Sequence, residues 1–292
     1  MTRPIVVGYD GSTHADEALA WAAKEAARVR APLQIVHVEH ALVDGYVIAD
    51  RPLDQVAQVG ERVLARGVER VQGMEPDIEV TTHLELRDSA PAVLVEASRG
   101  AQLLVVGSRG RGGFAGLLLG SVSIAVSAHA YCPVVVVRRH RPWAATPPVR
   151  PVVVGVDTSS TSARAVDFAF DQASGRSAPL VAVHGWEMPS MIGQVPPWRP
   201  AEVEELRVAE KALTSESLAG HAERYPDVEV RPLVRAGSPA QVLLAAAVDA
   251  EMLVLGSRGV GGFRGLLLGS VSQAVLHHAT CPVAVVRPSQ PS

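Results

Sequence analysis

The sequence repeats itself, and that repeat constrains the fold more than any local motif. Val6-Val7-Gly8-Tyr9-Asp10 returns as Val153-Val154-Gly155-Val156-Asp157, and Gly107-Ser108-Arg109-Gly110 returns as Gly256-Ser257-Arg258-Gly259. The stretch from Gly116 to Ser123 recurs unchanged from Gly265 to Ser272, and Cys132-Pro133-Val134 recurs as Cys281-Pro282-Val283. The offset drifts only from 147 to 149 residues, a period far too long for a solenoid unit and right for a whole domain. A chain of 292 residues with 48% hydrophobic content can bury a core in each of two such domains. Residues 1–139 are read as the first domain, 140–150 as a linker and 151–292 as the second domain. The linker carries Pro142, Pro147 and Pro148, which cannot continue a central strand and favour an extended connection.

Within each copy, short β-rich apolar runs alternate with longer segments of helical period, the pattern of a parallel sheet covered on both faces. In the first copy this predicts strands at Ile5–Tyr9, Leu33–Val38, Ile78–Leu86, Leu103–Gly107 and Val134–Arg138. A first helix is predicted from about Thr13 to Val29, capped by Ser12 or Thr13, with Asp16 and Glu17 in its first turn and an alanine-rich buried face. A last helix is predicted to begin near Gly120-Ser121. The fold class is therefore α/β, each domain a five-stranded parallel sheet flanked by helices.

Open parallel sheets bind ligands beyond the carboxyl ends of their strands, where the strand order reverses. Asp10 and Asp157 end the first strands, Val38 and Gly185 lie at the ends of the second, and a glycine segment follows the fourth. In that segment, Gly107-x-x-Gly110, nine residues and then Gly120-Ser121 offer backbone without Cβ atoms and deliver it to a helix N-terminus. Free N–H groups and the helix dipole there favour phosphate. The spacing is neither a Walker A loop nor the Gly-x-Gly-x-x-Gly of dinucleotide folds.

The G-x2-G-x9-G-S pattern, between a strand and a helix leading into Cys-Pro-Val, resembles the ATP-binding group of the universal stress protein family over almost all of both halves. The resemblance implies two tandem Rossmann-like domains of the adenine nucleotide α-hydrolase-like kind, each binding one ATP. It implies that Gly8 and Asp10, with Gly155 and Asp157, line the nucleotide, the aspartates near ribose and phosphate or facing a bound magnesium ion. Backbone at Val38 and Gly185 would meet adenine. Gly107, Ser108, Arg109, Gly110, Arg111, Gly112 and Gly113, with Gly120, Ser121 and Val122, would wrap ribose and phosphates. Gly256, Ser257, Arg258, Gly259, Val260, Gly261 and Gly262, with Gly269, Ser270, Val271 and Ser272, would do so in the second copy. For Asp10 a charge partner of the first helix, and for Ser121 a helix cap, are the plain structural alternatives. Arg111 has Val260 at its repeat position and Arg264 has Ala115, so the two sites are expected to differ in affinity.

A net charge of −3 gives no basic field for nucleic acid. The longest apolar runs fall far short of the roughly 20 residues of a membrane helix. The N-terminal residues run directly into a strand-like segment without the regions of a signal peptide, so the cytoplasm is the expected compartment. Cys132 and Cys281 read as buried small residues, and His37 and His184 as packing histidines. The expected function is a regulatory ATP-binding module in a stress or growth-arrest response, with no catalytic residue assigned. A homodimer and a regulatory protein partner of unknown identity are further expectations. The alternative is an ATP-hydrolysing or adenylating enzyme of a related fold, but the signatures of such enzymes after the first strand are absent from Asp10-Gly11-Ser12-Thr13.

Overall fold

The computed structural model describes residues 2–39, 42–43, 46–47, 52–111, 118–138, 149–187, 199–259 and 267–288. The chain divides into two compact units, with the break between Arg141 and Pro142.

The first unit contains β1 (Ile5–Gly8), α1 (Thr13–Val29), β2 (Leu33–Val38), the short strands β3 (Leu42–Val43) and β4 (Tyr46–Val47), α2 (Leu53–Met74), β5 (Val80–Glu85), α3 (Ala90–Ala97), β6 (Leu103–Gly107), α4 (Ser121–His129) and β7 (Val134–Val137). The second contains β8 (Val152–Gly155), α5 (Ser160–Ser174), β9 (Leu180–Trp186), α6 (Pro200–Leu218), α7 (His221–Arg224), β10 (Val230–Ala236), α8 (Pro239–Ala246), β11 (Met252–Gly256), α9 (Ser270–His278) and β12 (Val283–Val286).

In the first unit the strands pair in parallel in the order β7-β6-β1-β2-β5. The second unit repeats this as β12-β11-β8-β9-β10. The central strands are runs of Val, Ile and Leu buried on both faces, as a sheet covered by helices requires. Burial falls away at the outer strands: β5 exposes Thr81, Thr82 and His83, and β10 tolerates Pro232 because an outer strand has an unpaired side that needs no N–H donor.

Helix α1 shows how local chemistry sets the bounds. The Ser12 hydroxyl accepts the Ala15 N–H at 3.2 Å, and Arg30 ends the helix in the left-handed conformation at φ 52°. Its buried face is mostly alanine (Ala15, Ala18, Ala22, Ala23 and Ala26), so the helix axis lies close to the sheet. In both units the first strand has its successor on one side and the fourth long strand on the other. The order therefore reverses there, and the crevice beyond the carboxyl ends at that point is where such sheets accept ligands. Among the described residues no helix is long and apolar enough to cross a membrane.

Candidate functional site

In the first unit β1 runs into a turn that Asp10 organises. Its Oδ1 accepts the Ser12 N–H at 2.9 Å, while Gly11 supplies the positive φ of 76° that the turn demands. The other oxygen, Oδ2, accepts the Arg111 N–H at 2.7 Å and so pins the start of the glycine segment to the end of β1. The base of that segment is closed by the Gly120 N–H donating to the Ser108 carbonyl at 2.7 Å. Ser108 in turn donates its N–H to Val137 O at 2.8 Å, which fastens the segment to β7.

Gly120 is the N-cap of α4 and offers no side-chain acceptor, so the first-turn N–H groups of that helix lack the cap that Ser12 gives α1. These groups open onto a cavity of about 490 Å³ at the switch point. Val36, Val38, Leu94 and Val106 form an apolar part of its wall; Asp10, Arg109, Arg111 and Ser121 supply the polar groups. An apolar wall with a few convergent polar groups is the usual make-up of a small-molecule site, and the volume lies within the usual range of roughly 300–1,000 Å³.

The second unit rebuilds the same crevice, about 600 Å³, lined by Gly155, Asp157, Gly185, Gly256, Arg258, Gly259, Gly269, Ser270, Val271 and Ser272 together with Glu187. Asp157 Oδ1 accepts the Ser159 N–H at 2.8 Å and the Ser159 hydroxyl at 2.5 Å. The Gly269 N–H closes the segment on Ser257 O at 2.8 Å, and α9 again starts at a glycine without a side-chain cap, whereas α5 is capped by Ser159.

Most residues singled out by the sequence converge on these crevices, but several act differently from the expectation. Gly107 contributes backbone to the cavity, yet its missing Cβ points the other way: an added Cβ would lie 2.6 Å from His14 O, in the first turn of α1. Gly256 meets the backbone carbonyl carbon of Thr161 at 3.0 Å in the same manner. Gly8 makes room for the side chain of Leu94, Gly155 for those of Leu255 and Leu243, and Gly185 for Pro239. These are close-packing glycines at the bottom of the site. Gly110 and Gly259 do face the crevice side, against Asp10 Oδ2 and Asp157 Oδ2.

Ser272 spends its hydroxyl on the Gly256 carbonyl at 2.8 Å, as Ser123, which the sequence reading passed over, does on Gly107 O at 2.7 Å. Both are struts between a helix start and a strand end. Ser121 is the first helical residue, and Gly120 takes the cap position. The sequence reading filled the gaps between strands with helices but assigned no site residue to α3 and α8, which bring Ala90 and Leu94, and Ser238, Pro239 and Leu243, to the two cavities. The signal was there: Ser89 and Val93-Leu94 return as Ser238 and Val242-Leu243 at the 149-residue offset after the third long strand. Gly112, Gly113, Val260, Gly261 and Gly262 lie outside the described residues.

His37 is buried and its Nδ1 lies 2.8 Å from the Tyr9 carbonyl, tying β2 to the end of β1; His184 does the same with Val156 O at 2.7 Å. At Glu39, burial pushes the carboxyl up, but hydrogen bonds with Arg111 and His37 outweigh it and hold the group below its usual range. Arg109 Nε donates to His14 Nε2 at 3.1 Å, and the Arg258 carbonyl accepts the Thr161 hydroxyl, so both glycine segments lean on the first turn of the first helix of their unit. Among the described residues no group of three or more His, Cys, Asp or Glu is placed to hold a metal ion.

With this geometry in view, known proteins give a consistent comparison. A model of the universal stress protein family matches residues 1–138 and again 148–287. A universal stress protein of Mycolicibacterium smegmatis is 41% identical over 290 residues, 97% of this chain and 97% of that protein. Among solved structures, a universal stress protein from Archaeoglobus fulgidus matches with a TM-score of 0.69 at 21% identity, covering 99% of this chain and 97% of that one. Another from Archaeoglobus fulgidus, solved in complex with dAMP, is 28% identical over 46% of this chain and 96% of its own, with a TM-score of 0.36.

Proposed function

The chain belongs to the universal stress protein family, and we propose that each of its units holds one ATP as a regulatory ligand in a cytoplasmic stress or growth-arrest response. The observation that carries this reading is the contrast between helix starts in one unit. Helices α1 and α5 satisfy an N-terminal N–H with a serine, whereas α4 and α9 start at bare glycines that face the cavities. A helix start left open at a switch-point crevice suits a phosphate group. The apolar wall beside Val38 and Gly185 suits the base. Asp10 and Asp157 would face the magnesium ion that accompanies a triphosphate.

Retention is better supported than turnover. Fast hydrolysis needs a positioned water, a base or orienting group and charge stabilisation at the terminal phosphate. Asp10 is the one carboxylate among the described residues lining the first cavity, and both its oxygens already hold backbone N–H groups.

The test fills each cavity from an exposed position. Ser121→Trp and Ser270→Trp place an indole at the first residue of α4 or α9, where both serines are exposed on a cavity lining. Calorimetric titration of nucleotide-free chain should give two ATP per chain, one in each single variant and none in the double variant. Saturation near 100 times the dissociation constant should add about 2.7 kcal/mol to folded stability per site. Undiminished stoichiometry in the double variant would show that ATP binds elsewhere.

A further inference from the structure

The first cavity has at its mouth a closed circuit of hydrogen bonds that the second does not reproduce. It starts at the Tyr9 carbonyl, which lies 2.8 Å from His37 Nδ1. The other ring nitrogen, His37 Nε2, lies 3.1 Å from Glu39 Oε2. That same oxygen accepts Arg111 Nη2 at 3.0 Å. Arg111 returns its backbone N–H to Asp10 Oδ2 at 2.7 Å, and Asp10 is covalently joined to Tyr9. The guanidinium is thus fixed by its backbone at one end and by one corner of its fork at the other. Among the described residues neither Nε nor Nη1 of Arg111 has a hydrogen-bond partner, and the residue lines the cavity. An arginine held in this way has already spent much of its rotamer entropy and presents its remaining donors as a planar fork.

Among the described residues the second unit reproduces the first link and replaces the second. His184 Nδ1 lies 2.7 Å from Val156 O, but its Nε2 faces Glu210 of α6 at 2.8 Å. Trp186 occupies the repeat position of Glu39, and Val260 that of Arg111. The circuit therefore cannot form there from the same residues.

We propose, building on the nucleotide reading above, that Arg111 is the specificity-determining residue of the first site, favouring a polyphosphate over a monophosphate, and that Glu39 is its positioning residue. An anion with several phosphates can reach both the open start of α4 and the fork of Arg111, whereas a monophosphate has only one group to divide between them. The charge on Glu39 supports this arrangement, since its depressed carboxyl keeps the anchor ionised across the neutral range. The first site is thereby selective by number of phosphates, and the second, lacking this fork, is less so.

The experiment is calorimetric titration of the full chain with ATP and with AMP, in the Ser270→Trp background so that only the first site is read. Adding Arg111→Ala should lower the ATP-to-AMP affinity ratio by about tenfold, the worth of one charge-assisted hydrogen bond. Arg111→Lys should recover part of the ratio, because the charge returns without the fork. Glu39→Gln should lower it severalfold while leaving Arg111 in place. In the Ser121→Trp background, Arg111→Ala should leave both second-site affinities unchanged.

A merely structural role would instead weaken ATP and AMP equally and lower the melting temperature of the ligand-free chain. Either that pattern or an unchanged ratio in both Arg111→Ala and Arg111→Lys overturns the proposal. If the Ser270→Trp parent binds neither nucleotide while retaining its fold by circular dichroism, the nucleotide reading of the first site fails, and the inference falls with it.

Discussion

Replacing Gly107 by alanine separates packing from ligand approach, because the new methyl has a definite place to go. The added Cβ would stand 2.6 Å from His14 O, 2.8 Å from His14 C and 3.1 Å from Ala15 N, all backbone atoms of α1. Ordinary contacts between heavy atoms lie at about 3.5–4.0 Å, so the intrusion is nearly 1 Å and no side-chain rotation relieves it. Helix α1 must shift against β6. Overpacking of this kind costs typically 1–3 kcal/mol, offset by a few tenths for the stiffer unfolded chain. For a unit of this size that is a drop in melting temperature of roughly 3–8 °C. Gly256→Ala meets Thr161 atoms at 3.0–3.1 Å and should cost less than half as much. Gly73→Ala, with nothing within 4 Å in the last turn of α2, should be neutral or slightly stabilising. Calorimetric melting of the three ligand-free variants against the parent gives the order directly. If Gly107→Ala melts with the parent yet loses nucleotide, the glycine serves the ligand and the packing argument is wrong.

Two further outcomes follow from groups that burial holds neutral. Tyr9 is pushed from 10.0 up to about 12 by burial, by its 2.8 Å hydrogen bond to Asp16 and by that group's charge. Its contribution is intact below pH 10 and is lost as pH rises toward 12, so the chain should lose stability through that window. Tyr9→Phe should flatten the alkaline loss, and parallel curves for the two chains would refute the assignment. Burial likewise pushes the Cys132 thiol up to about 12, and Cys281 is buried as well, so a thiol reagent at pH 8 should label two cysteines only after denaturation. Rapid labelling of the native chain would contradict the packing seen around them.

The sequence predicted helix α1 to the residue, because its bounds are set within the segment by Ser12 at one end and the loss of apolar period at the other. Strand bounds were less legible. The first was predicted through Tyr9 and the last through Arg138, and each stops one residue earlier; the third was predicted over Ile78–Leu86 and spans Val80–Glu85. A strand ends where its neighbour ceases to pair, and that information lies elsewhere in the chain. The same limit governed the site. The glycines at the crevice were visible, but a bare list cannot say on which side of the backbone the Cβ is missing. For Gly107 and Gly8 it is missing on the side of α1 and Leu94, which only the packed layers reveal.

The internal repeat shows which residues the fold itself dictates. Positions kept between the units grip backbone atoms: Asp10 and Asp157 hold the N–H groups of Ser12 and Ser159, His37 and His184 meet the carbonyls of Tyr9 and Val156, and Ser123 and Ser272 bond those of Gly107 and Gly256. A backbone group persists whatever side chain stands at its position, and left unpaired in a buried crevice it is costly. A residue that satisfies it can therefore change in neither copy without penalty. Some positions that differ between the units bond to side chains, which can change together. Glu39 serves His37 and Arg111 in the first unit, while Trp186 stands at its repeat position and Glu210 takes over the histidine in the second. The backbone-gripping set builds a crevice of one shape twice; the side-chain set decides how each crevice is charged, and differences in ligand preference between the two units must arise there.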